Sequence, residues 1–496
     1  MLTRRSALAC GALAGVALVA PLPALAQGSK DSVTLGLILE PPGLDPTVGA
    51  ASSIAEVTLY NIYETLTKIN PDGSVSPLLA ESWEVSPDLK TCTLRLRKGV
   101  SFHNGAPCNA AAVKFSFDRA GGNKSTNKDQ QLFANLRTQV VDEHTVELVN
   151  KDIEPNLLFL LGQATAIIVE PRSAHGNATK PVGTGPYQLA SWSRGAAITL
   201  AAWPEWRHAA QIKLRRATFR LIPDPAAQVA ALLAGDVDMF ARVTPRAAAP
   251  FKANPRFQVI VSDSRAKTIL AINNAKKPLK DLRVRRAIAA AIDRKAVIQG
   301  AADGLGVPIG SHYVPGAFGH VDTTAVNPYD PDKAKRLLAE AGVKLPLKLN
   351  LTLPPAPYAR QGGEIIAAQL AKVGIVCKLQ HVAWAQWLSR TYGAKSYDLT
   401  LISHVEPFDL GNFAKPDYYW GYHSAQFDAL YDRIKHAAHP ADRARLLGDA
   451  QRLLAEDAVH VFLYQPQWVT VANKDLRGLW KDMPVFVNDL SALSWS

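Results

Sequence analysis

The sequence predicts an α/β protein with a partly parallel sheet and an antiparallel, β-rich portion near residues 71–182. Two observations carry this. The run Leu347-Lys348-Leu349-Asn350-Leu351-Thr352-Leu353 alternates apolar and polar residues. Ile365, Ile366, Gln369, Leu370 and Val373 then trace a helical stripe stopped by Gly374, and Ile375 to Val382 reads as a second strand. Strand, helix, strand is a βαβ unit, and such a crossover joins parallel strands. The second observation is Thr91 to Arg97, which alternates throughout, so one face packs and the other meets solvent.

The remaining elements follow in order. Val33 to Leu39 is an apolar, strand-like run that ends at Glu40-Pro41-Pro42. Asp281 is placed to cap a helix whose Val284, Ile288, Ala291 and Ile292 share a face, expected to end near Gly300. Asp330-Pro331 is an N-cap followed by proline at the first helical position, and Gly342 terminates the helix carrying Ala334, Leu337, Leu338 and Ala341. A short helix is expected from Trp384 to Tyr392 and a strand from Tyr397 to Ser403. Leu446, Leu447, Ala450, Leu453 and Leu454 mark a late amphipathic helix.

Composition narrows the class. The chain has 496 residues, enough for two or three domains, with 48% hydrophobic and 20% charged residues, which is globular. Arg4 and Arg5 precede an Ala- and Gly-rich apolar run, and Ala24-Leu25-Ala26 offers a small-residue cleavage site. Residues 1–26 therefore read as a signal peptide, with the paired arginines suggesting the twin-arginine route beside an ordinary Sec signal. Its removal takes away two arginines and no acid, so the net charge falls from +12 to +10. No nucleic-acid module accompanies that scattered charge. Cys92, Cys108 and Cys377 remain, which permits one disulfide, Cys92–Cys108 being the pair to allow. There is no CxxC and no zinc-spaced His/Cys cluster, so neither a metal nor a cofactor is expected.

No nucleophile elbow, HExxH helix or Walker loop occurs, and Gly183-Thr184-Gly185-Pro186-Tyr187 reads as a rigid turn, not a nucleotide loop. A binding protein needs less: rigid lobes, aromatic walls and a few charges in the crevice beyond the strand ends. Glu40 follows one strand, Arg360 lies in the loop after 347–353, and Glu406 lies three residues past Ser403. Converging, they offer an amine and a carboxylate their counter-charges. Trp384, Trp387, Tyr418, Tyr419 and Trp420 are the candidate walls.

The ordered series Pro42-Gly43-Leu44-Asp45-Pro46, Asn61-Ile62-Tyr63-Glu64, Leu79-Ala80-Glu81-Ser82-Trp83, Arg97-Lys98-Gly99-Val100-Ser101-Phe102-His103-Asn104-Gly105 and Gly183-Thr184-Gly185-Pro186-Tyr187 resembles the bacterial extracytoplasmic solute-binding proteins of family 5. These are the peptide-, dipeptide-, glutathione- and nickel-binding components of ABC importers. The resemblance implies a type II-like periplasmic binding fold: two lobes with a hinge, plus an extra inserted domain. Domain I would comprise 27–70, 183–275 and 476–496, domain II 71–182, and domain III 276–475. It implies a monomer in the periplasm that binds a peptide or small solute and delivers it to a permease and its ATPase. Glu406 would stand where relatives hold the ligand's amino terminus, Arg360 where dipeptide binders hold the carboxyl terminus, and Glu40 at the acidic cleft position. Trp384 and Trp420 would line the ligand. A secreted hydrolase, or a sensory protein that presents its ligand to a receptor, are the competing readings.

Overall fold

The computed structural model describes residues 30–49 and 51–496. The expected signal peptide, Cys10 included, lies outside the described residues. Asp31–Ser496 forms one compact unit built on a twelve-stranded mixed sheet.

The sheet has two halves joined through one strand. On one side Leu347–Leu353 lies parallel to both Ile375–His381 and Leu399–His404, which pairs in turn with Lys267–Ile272. On the other, Ser32–Leu37 runs parallel to Arg216–Leu221 and Met239–Val243, and two antiparallel strands extend the edge. His460–Asn473 belongs to both. Its first residues pair with Lys267–Ile272, and from Gln467 onward it pairs with Phe257–Asp263. The chain therefore crosses between the halves twice, at residues 264–266 and 465–467. The crossings are tied together: Ser264 Oγ donates to the Pro466 carbonyl at 2.5 Å and Gln465 Nε2 to the Ser264 carbonyl at 2.6 Å.

The expected βαβ unit is present, with the helix Pro357–Ala371 between its parallel strands. Ile366, Leu370 and Val373 are buried, and Ile365 packs against the same core. The β-rich segment holds a four-stranded antiparallel sheet, Ala80–Val85, Thr91–Leu96, Thr145–Asn150 and Leu136–Asp142, covered by the helix Ala110–Gly121.

Three expectations are corrected. The helix beginning after Asp281 does not reach Gly300. It ends at Ala290, and Asp293 starts a second one, Arg294–Ala301, by accepting from the Lys295 and Ala296 backbone N–H groups. A side chain that caps so well interrupts a helix that periodicity alone would continue. The Trp384–Tyr392 helix is one α-turn, Trp384–Gln386, followed by a wider π-helical stretch, Trp387–Gly393. Cys92 and Cys108 are not bridged. Both are free thiols inside the core of the inserted sheet, and burial pushes each up to about 12.

The glycines of the Gly183–Tyr187 turn have a steric reason. A Cβ on Gly183 would lie 1.9 Å from the Ile62 carbonyl oxygen, and one on Gly185 would lie 2.3 Å from that of Asn61. His103 locks the turn: its Nδ1 accepts from Gly183 N–H at 3.2 Å and its Nε2 reaches the Gly185 carbonyl at 3.0 Å. Thus three separated motifs meet at one junction. Arginines brace one of these motifs and one further motif. Arg119 holds the buried Asp45 at 2.9 Å, and Arg207 holds Glu64 through two bonds of 2.6 and 2.7 Å.

Candidate ligand-binding cleft

A cavity of about 570 Å³ opens where the two halves of the sheet part. Arg265 comes from the first crossing and Trp468 from just past the second. Val405 to Asp409 form the loop after the strand Leu399–His404. Opposite stand residues 46–59, 128–129, 160–165 and 483–486. The Trp468 indole stacks on Phe486 at 5.2 Å, and Arg242 lies over both rings. Phe408 meets Phe159 edge-on at 4.9 Å. The chamber thus has aromatic walls, two cationic side chains (Lys128 and Arg265) and the acids Asp129, Glu406 and Asp409.

Those acids differ. Asp129 accepts from Thr165 Oγ1 at 2.6 Å. Asp409 is 4% exposed, taken by Lys267 Nζ at 2.6 Å and His312 Nε2 at 2.8 Å, with His404 Nδ1 3.5 Å away. Although Asp409 is buried, the neighbouring His312 and Lys267 hold its carboxyl far below the usual carboxylate range. Burial lowers His312, and lowers His404 to about 4. Glu406, by contrast, is 46% exposed, and its nearest cation, Lys128, is 3.6 Å away. Lys267 also donates to the Glu406 carbonyl, so the loop is held by its backbone while its carboxylate faces the cavity.

His312, His404 and Asp409 bring potential metal-ligating atoms within 4.8 Å of one another. Lys267 already supplies the positive charge there and, with His312, uses both Asp409 oxygens. Lys267 makes the cluster a neutralised ion network, packed against Phe413, Tyr419 and Trp420. Its histidines are 92 residues apart, so spacing could not reveal it.

Of the eight residues singled out from the sequence, only Glu406 lines the cavity. Glu40 is held by Trp192 Nε1 at 3.1 Å and the Gly195 N–H at 3.0 Å, against the hairpin of the other sheet half. Arg360 is exposed on the helix Pro357–Ala371. Trp384 is 47% exposed and stacks on Trp387 at 5.3 Å. Trp420 is completely buried, stacked on Phe413 at 4.4 Å in the aromatic core. Missed were Lys128, Arg265, Phe408, Trp468 and Phe486. Phe408 lay within reach, two residues past Glu406. The others are brought in from distant parts of the chain: Arg265 and Trp468 at the crossings, Lys128 from the inserted segment and Phe486 from the stretch 483–486.

A chamber at the paired crossings of a bilobal mixed sheet, walled by aromatics and fitted with uncommitted charge, defines a solute-binding protein. The comparisons agree. Residues 74–435 match the family described as bacterial extracellular solute-binding proteins, family 5 middle region, and this chain belongs to that family. The glutathione-binding protein GsiB of Salmonella choleraesuis is 27% identical over 490 residues, covering 93% of this chain and 94% of that protein. The dipeptide-binding protein of Escherichia coli K12 is 30% identical over 384 residues, 71% of each chain. Among solved structures, the periplasmic binding protein AgaA of A. tumefaciens R10, in complex with agropinic acid, aligns with a TM-score of 0.78 at 27% identity, covering 94% of this chain and 99% of AgaA. HbpA2 of Haemophilus parasuis shares the fold with a TM-score of 0.84 at 21% identity, covering 94% and 100% of the two chains. Among the described residues no helix is long and apolar enough to cross a membrane.

Proposed function

We propose that this chain, exported through its first 26 residues, captures a small peptide-like solute in the periplasm and hands it to a permease driven by a cytoplasmic ATPase. The protein itself acts as a monomer and performs no chemistry on the ligand. The observation that carries this is the cavity of about 570 Å³ at the crossings, lined by the half-exposed carboxylate of Glu406, which takes only the neighbouring Val405 N–H at 3.2 Å and Lys128 at 3.6 Å. An incoming ammonium replaces Lys128 at Glu406 with a shorter, better desolvated bond. The same reading makes 71–182 domain II and shifts the division between domains I and III from the expected 275/276 and 475/476 to the crossings near 265 and 466.

The test is a thermal-shift screen of purified residues 27–496 against short peptides, glutathione, opines, oligosaccharides and metal chelates. A true ligand at a hundredfold its Kd adds about 2.7 kcal/mol of apparent stability. Stabilisation by peptides or glutathione, without hydrolysis of the ligand, bears the proposal out. A hit confined to sugars or chelates rejects the peptide-like class, and turnover rejects the passive role.

A further inference from the structure

We infer that Arg265, and not Arg360, takes the anionic end of the ligand, so that the cleft selects a compact zwitterion spanning Arg265 and Glu406. This rests on the reading of the cavity as the solute site.

Arg265 occupies the first crossing, between the strands Phe257–Asp263 and Lys267–Ile272. A guanidinium carries five N–H donors. This one gives a single long bond, Nη2 to the Asp72 carbonyl at 3.3 Å, and among the described residues no carboxylate comes within ion-pair distance. Asp72, Asp263 and Asp482 act on it only from further away. The contrast with other arginines is direct. Arg119, Arg207 and Arg242 are each committed to an acid: Asp45, Glu64 and Glu56. Arg265 is half-buried and borders the cavity, with most of its donors not spent on protein acceptors and so left to water or to a ligand.

The register explains why that acceptor must belong to a ligand that also carries an ammonium. Lys267 pairs with His404 in the antiparallel ladder. Two further steps would set Arg265 across from Glu406, but the ladder stops and the chains diverge around the cavity. The two side chains therefore border the same chamber with opposite charge and do not pair with each other. A zwitterion satisfies both, its carboxylate in the planar fork of Arg265 and its ammonium on Glu406. The stacked Trp468 and Phe486 supply an apolar wall for whatever lies between. Arg360, exposed and away from this chamber, has no place in the arrangement.

The experiment is calorimetric titration of residues 27–496 with a panel of dipeptides and glutathione, then with the tightest binder and its carboxyl-amidated form. Wild type, Arg265→Gln, Arg265→Lys and Arg360→Ala are compared. We expect amidation to weaken wild-type binding at least tenfold and Arg265→Gln to weaken the acid form equally. The amide should bind Arg265→Gln and wild type alike, since the partner of the fork is already gone. Arg265→Lys should recover part of the loss, and Arg360→Ala should stay within twofold of wild type. Acid-form binding that is unchanged in Arg265→Gln overturns the assignment and leaves the solute-binding reading intact. Loss of discrimination in Arg360→Ala overturns it as well. If no panel member binds wild type, the peptide-like reading fails and the inference with it. Should Arg265→Gln fail to fold, Arg265→Lys decides by the same acid-against-amide ratio.

Discussion

The junction around His103 and the loop Ser403–Asp409 are both built from family-like segments, yet they use their polar groups in opposite ways. At the junction every close approach is closed off: two glycines lie against carbonyl oxygens, and both nitrogens of one imidazole are engaged. In the loop one carboxylate is fully paired and the other only lightly, by the neighbouring Val405 N–H at 3.2 Å and by Lys128. Asp409 is buried on a lysine and a histidine, while Glu406, three residues earlier, stands half in the cavity with a 3.6 Å partner. The committed groups build the frame, and the uncommitted ones are left for the ligand. A recurring motif therefore reports the frame, and the identity of the solute is written in side chains that the motif does not contain.

The comparison can be broken first at the junction. Gly183→Ala puts a methyl group where the Ile62 carbonyl oxygen stands, and the loss in denaturant unfolding should exceed about 4 kcal/mol. A loss under about 1 kcal/mol would mean that the junction yields and does not hold the frame. Next comes Asp409→Asn, which strands the buried Lys267 ammonium and should cost about 3–5 kcal/mol. Replacing both partners, Lys267→Met with Asp409→Leu, should cost much less, because no charge is left uncompensated.

Acid sharpens the same contrast. His103 and His404 are each lowered by burial to about 4, against an unfolded value of about 6.5. Between those values the unfolded chain binds protons that the folded one refuses, so stability is full above pH 6.5 and is lost as pH falls toward 4. The combined loss should be on the order of a few kcal/mol, read as a falling Tm across that window. His103→Gln should flatten the profile, and an unchanged profile would remove His103 from the account.

Smaller effects belong to the cleft. Glu406→Gln should leave unfolding of the ligand-free protein within about 0.5 kcal/mol, as for other uncommitted surface groups. Affinity for an amine-bearing ligand should fall by about 1.5–3 kcal/mol, measured by calorimetry. Lys128→Ala should be the mildest change. An exposed pair of this kind contributes about 0–1 kcal/mol, so ligand affinity should rise slightly if Lys128 competes with the ammonium.

The frame was more legible in the sequence than the site. Alternation at Leu347–Leu353, the stripe through Ile366 and Leu370, and the cap at Asp330 are local signals, and each element is where its signal lies. Asp293 shows the limit of periodicity: Ala291 and Ile292 continue the apolar stripe, yet the next carboxylate starts a new helix. Of the residues that line the cavity the sequence singled out Glu406, because a charged residue just past a strand is a local clue. Arg265 and Trp468 become neighbours of Glu406 only through strand pairings made over roughly 60 to 140 residues of intervening chain, and the alternation along a single strand carries no record of them. Trp420 misled for a related reason: Tyr418-Tyr419-Trp420 is aromatic enough for a cleft wall, and the same bulk fills a core.

The strand His460–Asn473 has one more consequence. Because it is continuous through both halves of the sheet, a turn of the halves against each other would bend it near Pro466, where proline offers no N–H to the ladder, together with the crossing at 264–266. Arg265, on the neighbouring crossing, therefore sits close to the pivot and has almost no lever arm, whereas Glu406 rides further out on one half. A solute fastened first to Arg265 would keep its position while the opposite wall swings, so the end of the molecule nearest the pivot would be the first to be recognised and the last to be let go.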